Sequence, residues 1–399
     1  MNPDLKKLQP YPFEKLSALK AGIVPAVADH IALSIGEPKH QAPAFVLDAL
    51  RDNLDQISNY PSTKGSLALR TAISRWLSHR FTLADDALDP ERHVLPVTGT
   101  REALFSFAQS FINRDKDALI LMPNPFYQIY EGAAFLSGAT PCFYNTVKDN
   151  NYLPDFDAID AATWQRCQII YVCSPGNPTG SVISKRQFTK LIELSQRYDF
   201  IIASDECYSE IYFDENNPPA GLLAAAAECG NKEFTNCMVF HSLSKRSNLP
   251  GMRSGFVAGD ASLIKSYLLY RTYHGCAMPP VHQVASTAAW SDEEHVRQNR
   301  ALYRQKFNAV IEILNPVIAA TLPDAAFYLW LNTPVDDETF ARNLFAQQNV
   351  TVLPGSYLSR ESDGINPGKN HVRLALVAPL DECITAANRI KQYLLSLNL

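Results

Sequence analysis

The sequence lacks several patterns that would place it in a specialised class of proteins. No stretch of about 18 consecutive apolar residues occurs, so no membrane-spanning helix is expected. The first seven residues do not lead into an apolar segment, so we expect no secretory signal. The eight cysteines are scattered and form no CxxC pair. This argues against a zinc site or a disulfide framework, and favours a reducing cytoplasm.

The chain also carries little excess of either charge. Its 36 Lys and Arg residues face 41 Asp and Glu residues, for a formal net charge of -5. That balance gives no electrostatic reason to expect nucleic acid or an anionic membrane as a partner. With 399 residues, of which 46% are hydrophobic, the chain can bury a large core. We predict a soluble globular protein of two or three structural units.

Short apolar runs alternate with helical stretches from about residue 94. Residues 185–198 have apolar positions near helical spacing, between two of the runs. The runs that predict strands are 118–122, 168–173, 200–204, 237–241 and 255–259. Continuous apolar strands separated by helices predict an α/β fold with a mostly parallel, doubly wound sheet.

A different order of elements follows after about residue 290 and predicts a smaller α+β unit. Its expected elements are a charged helix (291–314), a strand (326–331), a helix (337–347) and two strands near 350–353 and 372–377. We therefore divide the chain into an N-terminal arm with a segment of the small domain (1–44), a large domain (45–288) and a small C-terminal domain (289–399).

Polar side chains are concentrated where the predicted strands end. In an open α/β sheet, ligands bind just beyond the carboxyl ends of the strands. The clusters are residues 97–104, 174–180, 205–206 and 242–245. Residues 97–104 look like a loop that enters a helix, and backbone N–H groups at such a start bind phosphate readily. Four clusters of this kind predict one ligand site at the edge of the sheet.

These clusters contain the groups that pyridoxal 5'-phosphate requires. Lys245 is predicted to form a Schiff base through its amine. Asp205 is predicted to keep the pyridine nitrogen protonated, although it could instead be a helix N-cap. The groups predicted to hold the phosphate are Ser242, Ser244, the backbone of Gly99 and Thr100, and Arg253.

The motifs that contain these residues resemble those of class I/II aminotransferases, which are pyridoxal phosphate enzymes of fold type I. The resemblance runs from about residue 10 to the end, with the motifs in the family's order. They are Leu33-Ser34-Ile35-Gly36-Glu37-Pro38, Asn177-Pro178-Thr179-Gly180, Asp205-Glu206-Cys207-Tyr208, Ser242-Leu243-Ser244-Lys245-Arg246 with Gly251-Met252-Arg253-Ser254-Gly255, and His371-Val372-Arg373-Leu374. The resemblance implies a large domain, a smaller α+β domain and transaminase activity.

The resemblance also implies roles for single residues around the cofactor. Lys245 would be the catalytic base as well as the Schiff-base lysine, and Asp205 would pair with the pyridinium. Asn177 and Tyr208 would hydrogen-bond the phenolic oxygen of the cofactor. Tyr127 occupies the position whose ring stacks on the cofactor, with plain packing as the alternative.

For the substrate, the resemblance implies that Arg373 binds the α-carboxylate, assisted by Asn177 and by the close backbone approach at Gly36. Tyr60 would reach the cofactor phosphate of a neighbouring subunit, which implies a homodimer with shared sites, and interface packing is its alternative. Arg101 would lie beside the cofactor phosphate or face a distal carboxylate of the substrate, with a surface position as the alternative.

The chain as a whole looks like N-succinyldiaminopimelate aminotransferases of the proteobacterial lysine pathway. The segment Arg246-Ser247-Asn248-Leu249 after the lysine contributes to that impression, as do the N-terminal residues 2–16. The expected reaction moves an amino group between glutamate and an N-succinylated keto acid. The alternatives are an aspartate, alanine or aromatic aminotransferase, or a cysteine-conjugate β-lyase, which shares every cofactor residue. No residue could be assigned to the succinyl group.

Overall fold

The computed structural model describes residues 1–397. The helices are α1 (Pro12–Leu19), α2 (Ala44–Arg51), α3 (Leu67–Phe81), α4 (Thr100–Phe111), α5 (Ile129–Ser137), α6 (Ala161–Arg166), α7 (Lys185–Tyr198), α8 (Leu222–Glu228), α9 (Leu243–Arg246), α10 (Ala261–His274), α11 (Pro280–Trp290), α12 (Glu294–Leu314), α13 (Asp337–Gln348) and α14 (Leu380–Ser396). Short 3₁₀ helices span Pro3–Lys7, Leu54–Ser58, Lys148–Asn150, Pro250–Met252 and Gly355–Leu358.

The strands form three sheets, the largest with the order β2-β8-β7-β6-β5-β3-β4. The strands are β1 (Ile31–Ala32), β2 (Val94–Val97), β3 (Leu119–Asn124), β4 (Thr140–Asn145), β5 (Cys167–Cys173), β6 (Ile201–Asp205), β7 (Cys237–Ser242), β8 (Gly255–Gly259), β9 (Tyr328–Asn332), β10 (Val350–Thr351), β11 (Leu353–Pro354) and β12 (His371–Ala375). In the large sheet β8 pairs antiparallel with both neighbours, and the other pairings are parallel. The prediction of a mostly parallel sheet is confirmed.

Both faces of the large sheet are buried, which explains the continuous apolar runs. On β5, Ile170 and Val172 belong to one hydrophobic cluster, while Ile169 and Tyr171 belong to another on the opposite face. Neighbouring side chains of a strand point to opposite faces. A strand covered by helices on both sides therefore has no polar alternation.

Two strands of this sheet were not among the predicted runs. β4 is an edge strand whose side chains are mostly partly exposed, so its sequence Thr140-Pro141-Cys142-Phe143-Tyr144-Asn145 mixes polar and apolar residues. β2 is the opposite edge and contains Pro96, a residue that edge strands tolerate because the strand lacks a partner on one side. Because both strands lie at edges of the sheet, neither has the continuous apolar run that predicted the interior strands.

The smaller sheet, β11-β12-β9, is antiparallel and packs with α12, α13 and α14. The N-terminal segment contributes to this region, because β1 pairs parallel with β10 and Ile31 lies in the same hydrophobic cluster. The proposed domain boundaries at residues 44 and 288 stay predictions. Among residues 1–397, the helices are too short or too polar to cross a bilayer.

All eight cysteines are free, and they differ in exposure. Cys167, Cys207, Cys237 and Cys383 are buried, Cys142, Cys173 and Cys276 are partly exposed, and Cys229 is exposed. They form no disulfide framework.

A buried ion pair joins α3 to the segment that follows β6. The Glu210 carboxylate is 2% exposed and accepts a hydrogen bond from Arg80 Nε at 2.6 Å. Burial alone would raise the pKa of Glu210, but the nearby Arg80, Arg246 and Arg300 outweigh it, so the pKa lies below its ordinary value. The carboxylate is therefore charged at neutral pH and compensates several buried cations.

We expect Glu210→Ala to lower the free energy of unfolding by about 3–5 kcal/mol, because it leaves the largely buried Arg80 guanidinium without its carboxylate partner. Urea denaturation measures the change. The control is Glu294→Ala, which breaks an exposed pair with Arg297 and should change stability by less than about 1 kcal/mol. Equal losses in both variants would contradict the account.

Candidate active site

A cavity of about 480 Å³ lies at the carboxyl ends of β5, β6 and β7 and beside the start of α4. It contains most of the residues singled out from the sequence. These are Gly36, Thr100, Arg101, Tyr127, Asn177, Asp205, Tyr208, Ser242, Ser244, Lys245, Arg253 and Arg373. A larger cavity of about 910 Å³ is lined by other residues of the described chain. The residues in the smaller cavity, rather than its size, make it the candidate site.

Lys245 lies on α9, a single helical turn that follows directly from β7. Ser242 is the N-cap of that turn and accepts a hydrogen bond from the backbone N–H of Ser244 at 3.1 Å. The Lys245 amine faces the cavity and donates to the carbonyl oxygen of Gly36 at 2.5 Å. Burial lowers the pKa of Lys245 to about 8. A measurable fraction of the amine is therefore neutral, and nucleophilic, near pH 7.

Asp205 ends β6 and is 4% exposed. Its carboxylate accepts hydrogen bonds from the Tyr130 hydroxyl at 2.7 Å and from the backbone N–H of Cys207 at 3.2 Å. Burial raises the pKa of Asp205. Within residues 1–397 no lysine, arginine or histidine forms an ion pair with it. A ligand that brings a cation to this carboxylate would remove an unfavourable buried charge.

Several anion-binding groups gather at the start of α4. Gly99 precedes the helix with a φ of +94°, and a Cβ there would lie 2.3 Å from Arg253 Nη2. The absence of a side chain at position 99 therefore lets the Arg253 guanidinium lie against the loop. Thr100, Ser242 and Ser244 add hydroxyls to the same cavity. Helix N–H groups, hydroxyls and a guanidinium together suit a phosphate.

Arg373 lies on β12 and faces the cavity from the smaller sheet, where it is 4% exposed. It donates to Asn177 Oδ1 at 2.8 Å and to the carbonyl oxygen of Ser34 at 2.7 Å. Neither acceptor is charged, and no carboxylate pairs with Arg373 in the described part of the chain. A guanidinium held by neutral acceptors is suited to bind a carboxylate from a ligand.

Gly36 and the tyrosines beside it close this end of the cavity. A Cβ at position 36 would lie 2.1 Å from the Tyr328 hydroxyl oxygen, so only glycine fits the close approach. The hydroxyl oxygens of Tyr208 and Tyr328 are 2.8 Å apart and hydrogen-bonded. Any side chain at position 36 would disturb both the Lys245 contact and the tyrosine pair.

Arg101 lies at the mouth of the cavity. It donates from Nε to the Tyr127 hydroxyl at 2.8 Å and from Nη2 to the Tyr11 hydroxyl at 3.3 Å. Among residues 1–397 it has no carboxylate partner. Two tyrosines thus orient Arg101 at the opening, although the residue is itself exposed, and its role stays a prediction.

The structure does not bring every predicted residue to this cavity. Tyr60 is fully exposed and lies outside the cavity lining of its own chain. Sequence reasoning also gave no role to Tyr130, Tyr328 and Tyr11, which contact Asp205, Tyr208 and Arg101 respectively. Tyr130 lies three residues after Tyr127 in the same segment, a spacing that could have indicated it. Tyr11 and Tyr328 come from distant segments, so no local pattern identifies them.

The described residues fit pyridoxal 5'-phosphate. Asp205 would lie against the protonated ring nitrogen, Lys245 would supply the amine, and Tyr208 with Asn177 would face the phenolic oxygen. The α4 start with Thr100, Ser242, Ser244 and Arg253 would hold the phosphate. The buried Asp205 carboxylate without a cation is the observation that the cofactor explains best.

Comparison with known proteins agrees with the resemblance that the sequence motifs indicated. A family model described as aminotransferase class I and II matches residues 28–390. An LL-diaminopimelate aminotransferase of Nitratidesulfovibrio vulgaris (strain DSM 19637 / Miyazaki F) is 33% identical over 393 residues, covering 97% of each chain.

Solved structures resemble the fold over nearly its whole length. An aminotransferase from Neisseria meningitidis Z2491 has 48% sequence identity and a TM-score of 0.94, covering 98% of this chain and 100% of the other. The aminotransferase AspB from Helicobacter pylori 26695 has 35% identity and a TM-score of 0.89, with coverages of 97% and 98%. A structure from Thermus thermophilus described as a "probable N-succinyldiaminopimelate aminotransferase" has 26% identity and a TM-score of 0.82, with coverages of 96% and 99%.

We expect the reactivity of Lys245 to report its lowered pKa. In the protein without cofactor, reductive methylation of this amine should increase about tenfold per pH unit below pH 8 and level off above it, because only the neutral amine reacts. Mass spectrometry of the peptide that contains Lys245 measures the extent. A midpoint near the ordinary lysine value of 10.5 would contradict the effect of burial.

Proposed function

Since this chain belongs to the aminotransferase class I and II family, whose members depend on pyridoxal phosphate, we propose that it transfers the amino group of N-succinyl-LL-2,6-diaminopimelate to 2-oxoglutarate. The observation that carries the proposal is one cavity that joins the Lys245 amine, the Asp205 carboxylate and the Arg373 guanidinium. The amine and the carboxylate would bind the cofactor, and the guanidinium would bind the α-carboxylate of an amino acid.

Each of these residues has a defined task in the reaction. Bound pyridoxal phosphate supplies an electron sink for the bond to the substrate Cα. Asp205 holds a proton on the ring nitrogen, because its buried carboxylate favours a cation beside it. Arg373 binds the α-carboxylate through two N–H groups and fixes the orientation of the substrate. Lys245 would take the proton from the substrate Cα as a general base and, as a general acid, deliver it to the cofactor carbon that bonds the amino nitrogen, so that the amino group leaves the substrate.

The choice of substrate class rests on the third arginine that lines the cavity. Arg253 is assigned to the phosphate and Arg373 to the α-carboxylate, which leaves Arg101 at the mouth for a distal carboxylate. Glutamate and unmodified LL-diaminopimelate each carry one distal carboxylate and the N-succinyl derivative carries two, so Arg101 suits this whole class of donors. Glu37 also lines the cavity and could pair with the distal ammonium of unmodified LL-diaminopimelate. The unmodified compound is therefore the main competing amino donor.

Names of similar proteins support the same substrate class. The relative from N. vulgaris is named an LL-diaminopimelate aminotransferase, and the T. thermophilus structure carries the N-succinyl name. Both compounds share the 2,6-diaminopimelate skeleton. We accordingly place the enzyme in lysine biosynthesis, in the cytoplasm.

The proposed active form is a homodimer with shared sites. Tyr60 is fully exposed and does not line the cavity of its own chain, as expected for a residue that reaches the phosphate site of a second copy. Leu54, Ile57 and Leu67, near Tyr60 in the sequence, are also exposed, and apolar surface of this kind is typical of an interface.

We expect the half-reactions to distinguish the possible substrates. With no keto acid present, N-succinyl-LL-diaminopimelate or glutamate should convert the absorbance band of the bound cofactor to that of its aminated form, whereas aspartate and alanine should not. Conversion by LL-diaminopimelate but not by its succinyl derivative would assign the unmodified donor. Conversion by aspartate, with both diaminopimelates inactive, would contradict the assignment to lysine biosynthesis. Wild-type turnover by Lys245→Ala would overturn the mechanism itself.

We expect Arg101→Gln to raise the KM for glutamate by about tenfold or more, because a charged hydrogen bond to the distal carboxylate is lost. A monocarboxylic donor such as 2-aminobutyrate, assayed at high concentration, should change by less than about threefold. The control is Arg186→Gln, which removes an exposed guanidinium on α7. Equal losses for both donors would show that Arg101 serves the cofactor rather than the distal carboxylate.

A further inference from the structure

The helix that carries Lys245 is too short to satisfy its own backbone. α9 has four residues, and carbonyl groups in the last turn of a helix have no partner within the helix. Asn299, on α12 and 2% exposed, donates from Nδ2 to the carbonyl oxygens of Lys245 and Arg246, each at 3.4 Å. A side chain from a distant helix therefore completes the end of the turn that carries the reactive amine.

Neighbouring groups fix the orientation of the Asn299 amide. Its Oδ1 accepts hydrogen bonds from His40 Nδ1 at 2.7 Å and from Asn248 Nδ2 at 3.0 Å. Because these donors hold the oxygen side, the Nδ2 group must face the two carbonyl oxygens. A rotated amide would place its oxygen against them and leave His40 and Asn248 without an acceptor.

The direction of the His40 hydrogen bond is fixed in turn by Lys306. Lys306 Nζ lies 2.6 Å from His40 Nε2, and an ammonium can only donate. His40 therefore accepts at Nε2 and donates from Nδ1. Burial and the Lys306 charge outweigh the Asn299 bond and lower the pKa of His40, which is consistent with a neutral ring.

Lys306 links this chain of hydrogen bonds to the substrate side. It is 2% exposed and also donates to the carbonyl oxygen of Val377 at 3.2 Å. Val377 lies two residues beyond β12, the strand that carries Arg373. The bonds therefore run from the backbone of Lys245, through α12 and the N-terminal segment, to the segment that follows Arg373.

We propose that Asn299 is a positioning residue for Lys245, and that the chain Asn299–His40–Lys306 holds the reactive amine at a fixed distance from the guanidinium of Arg373. The inference rests on the proposed transaminase function. Transamination needs the same amine to reach the Cα of a substrate whose carboxylate is bound by Arg373. An error of about 1 Å in such a distance can lower a rate about 100-fold.

The test compares Asn299→Leu, which keeps the volume but removes the amide, with Asn299→Gln, which keeps an amide donor. Asn308→Leu is the control, because Asn308 is exposed on the same helix. The holoenzyme is assayed with glutamate, well below the unfolding temperature of each variant. Three quantities are measured: kcat, KM, and the pH midpoint of the cofactor absorbance change.

For Asn299→Leu we expect kcat to fall at least about tenfold, with KM within about threefold because Arg373 is unchanged. The pH midpoint should move by at least about 0.5 unit, since the amine no longer has a fixed environment. Asn299→Gln should recover part of kcat, and Asn308→Leu should match the wild type. A loss of stability alone would leave kcat and the pH midpoint of the folded protein unchanged.

If Asn299→Leu does not fold, His40→Phe tests the positioning role instead. It removes the hydrogen bond that orients the Asn299 amide and leaves the contacts of Asn299 with the two carbonyl groups in place. It should lower kcat at least about threefold. Wild-type kcat and pH midpoint in the folded variant would overturn the inference. Lys245→Ala is assayed in parallel. If wild type and Lys245→Ala have equal activity, the proposed function fails, whereas a Lys245-dependent activity unaffected at Asn299 refutes only the positioning role.

Discussion

The parallel order of β5, β6 and β7 is the constraint on which the site depends. Because the three strands run in one direction, their carboxyl ends meet at one edge of the sheet. Asp205 ends β6, Asn177 follows β5, and Lys245 lies one turn beyond β7. The chemistry is therefore assembled by the sheet, while the helices on both faces bury it.

Uncompensated charge is the second feature that defines the site. Within the described residues, Asp205 is buried without a cation and Arg373 is buried without a carboxylate. Burying such charges is unfavourable, and the packing of two sheets and two hydrophobic clusters maintains them. A protonated ring nitrogen, a phosphate and an amino-acid carboxylate supply the missing counter-charges. The charges of the protein thus specify the charges of its ligands.

Local sequence patterns predicted the parts of the molecule that depend on local structure. The interior strands were found because both of their faces are buried, and α7 has the bounds 185–198 that its apolar spacing indicated. The edge strand β4 was missed because its side chains are mostly partly exposed.

In the site too, the residues found from the sequence are those whose position depends on local structure. Lys245 and Asp205 directly follow or end strands, so the sequence could place them at one edge. Tyr328 begins β9, and Asn299 lies in the second turn of α12. Only packing between distant segments gives them a role, and Tyr60 does not line the cavity of its own chain.

The central claim is that Lys245 is the residue that binds the cofactor covalently. The most direct measurement is reduction of the protein with borohydride in the presence of pyridoxal phosphate, followed by mass spectrometry of its peptides. The account predicts one cofactor-derived mass increment, on Lys245. Burial also lowers the pKa of Lys20, which does not line the cavity. An increment on Lys20 instead of Lys245, or none at all, would contradict the account.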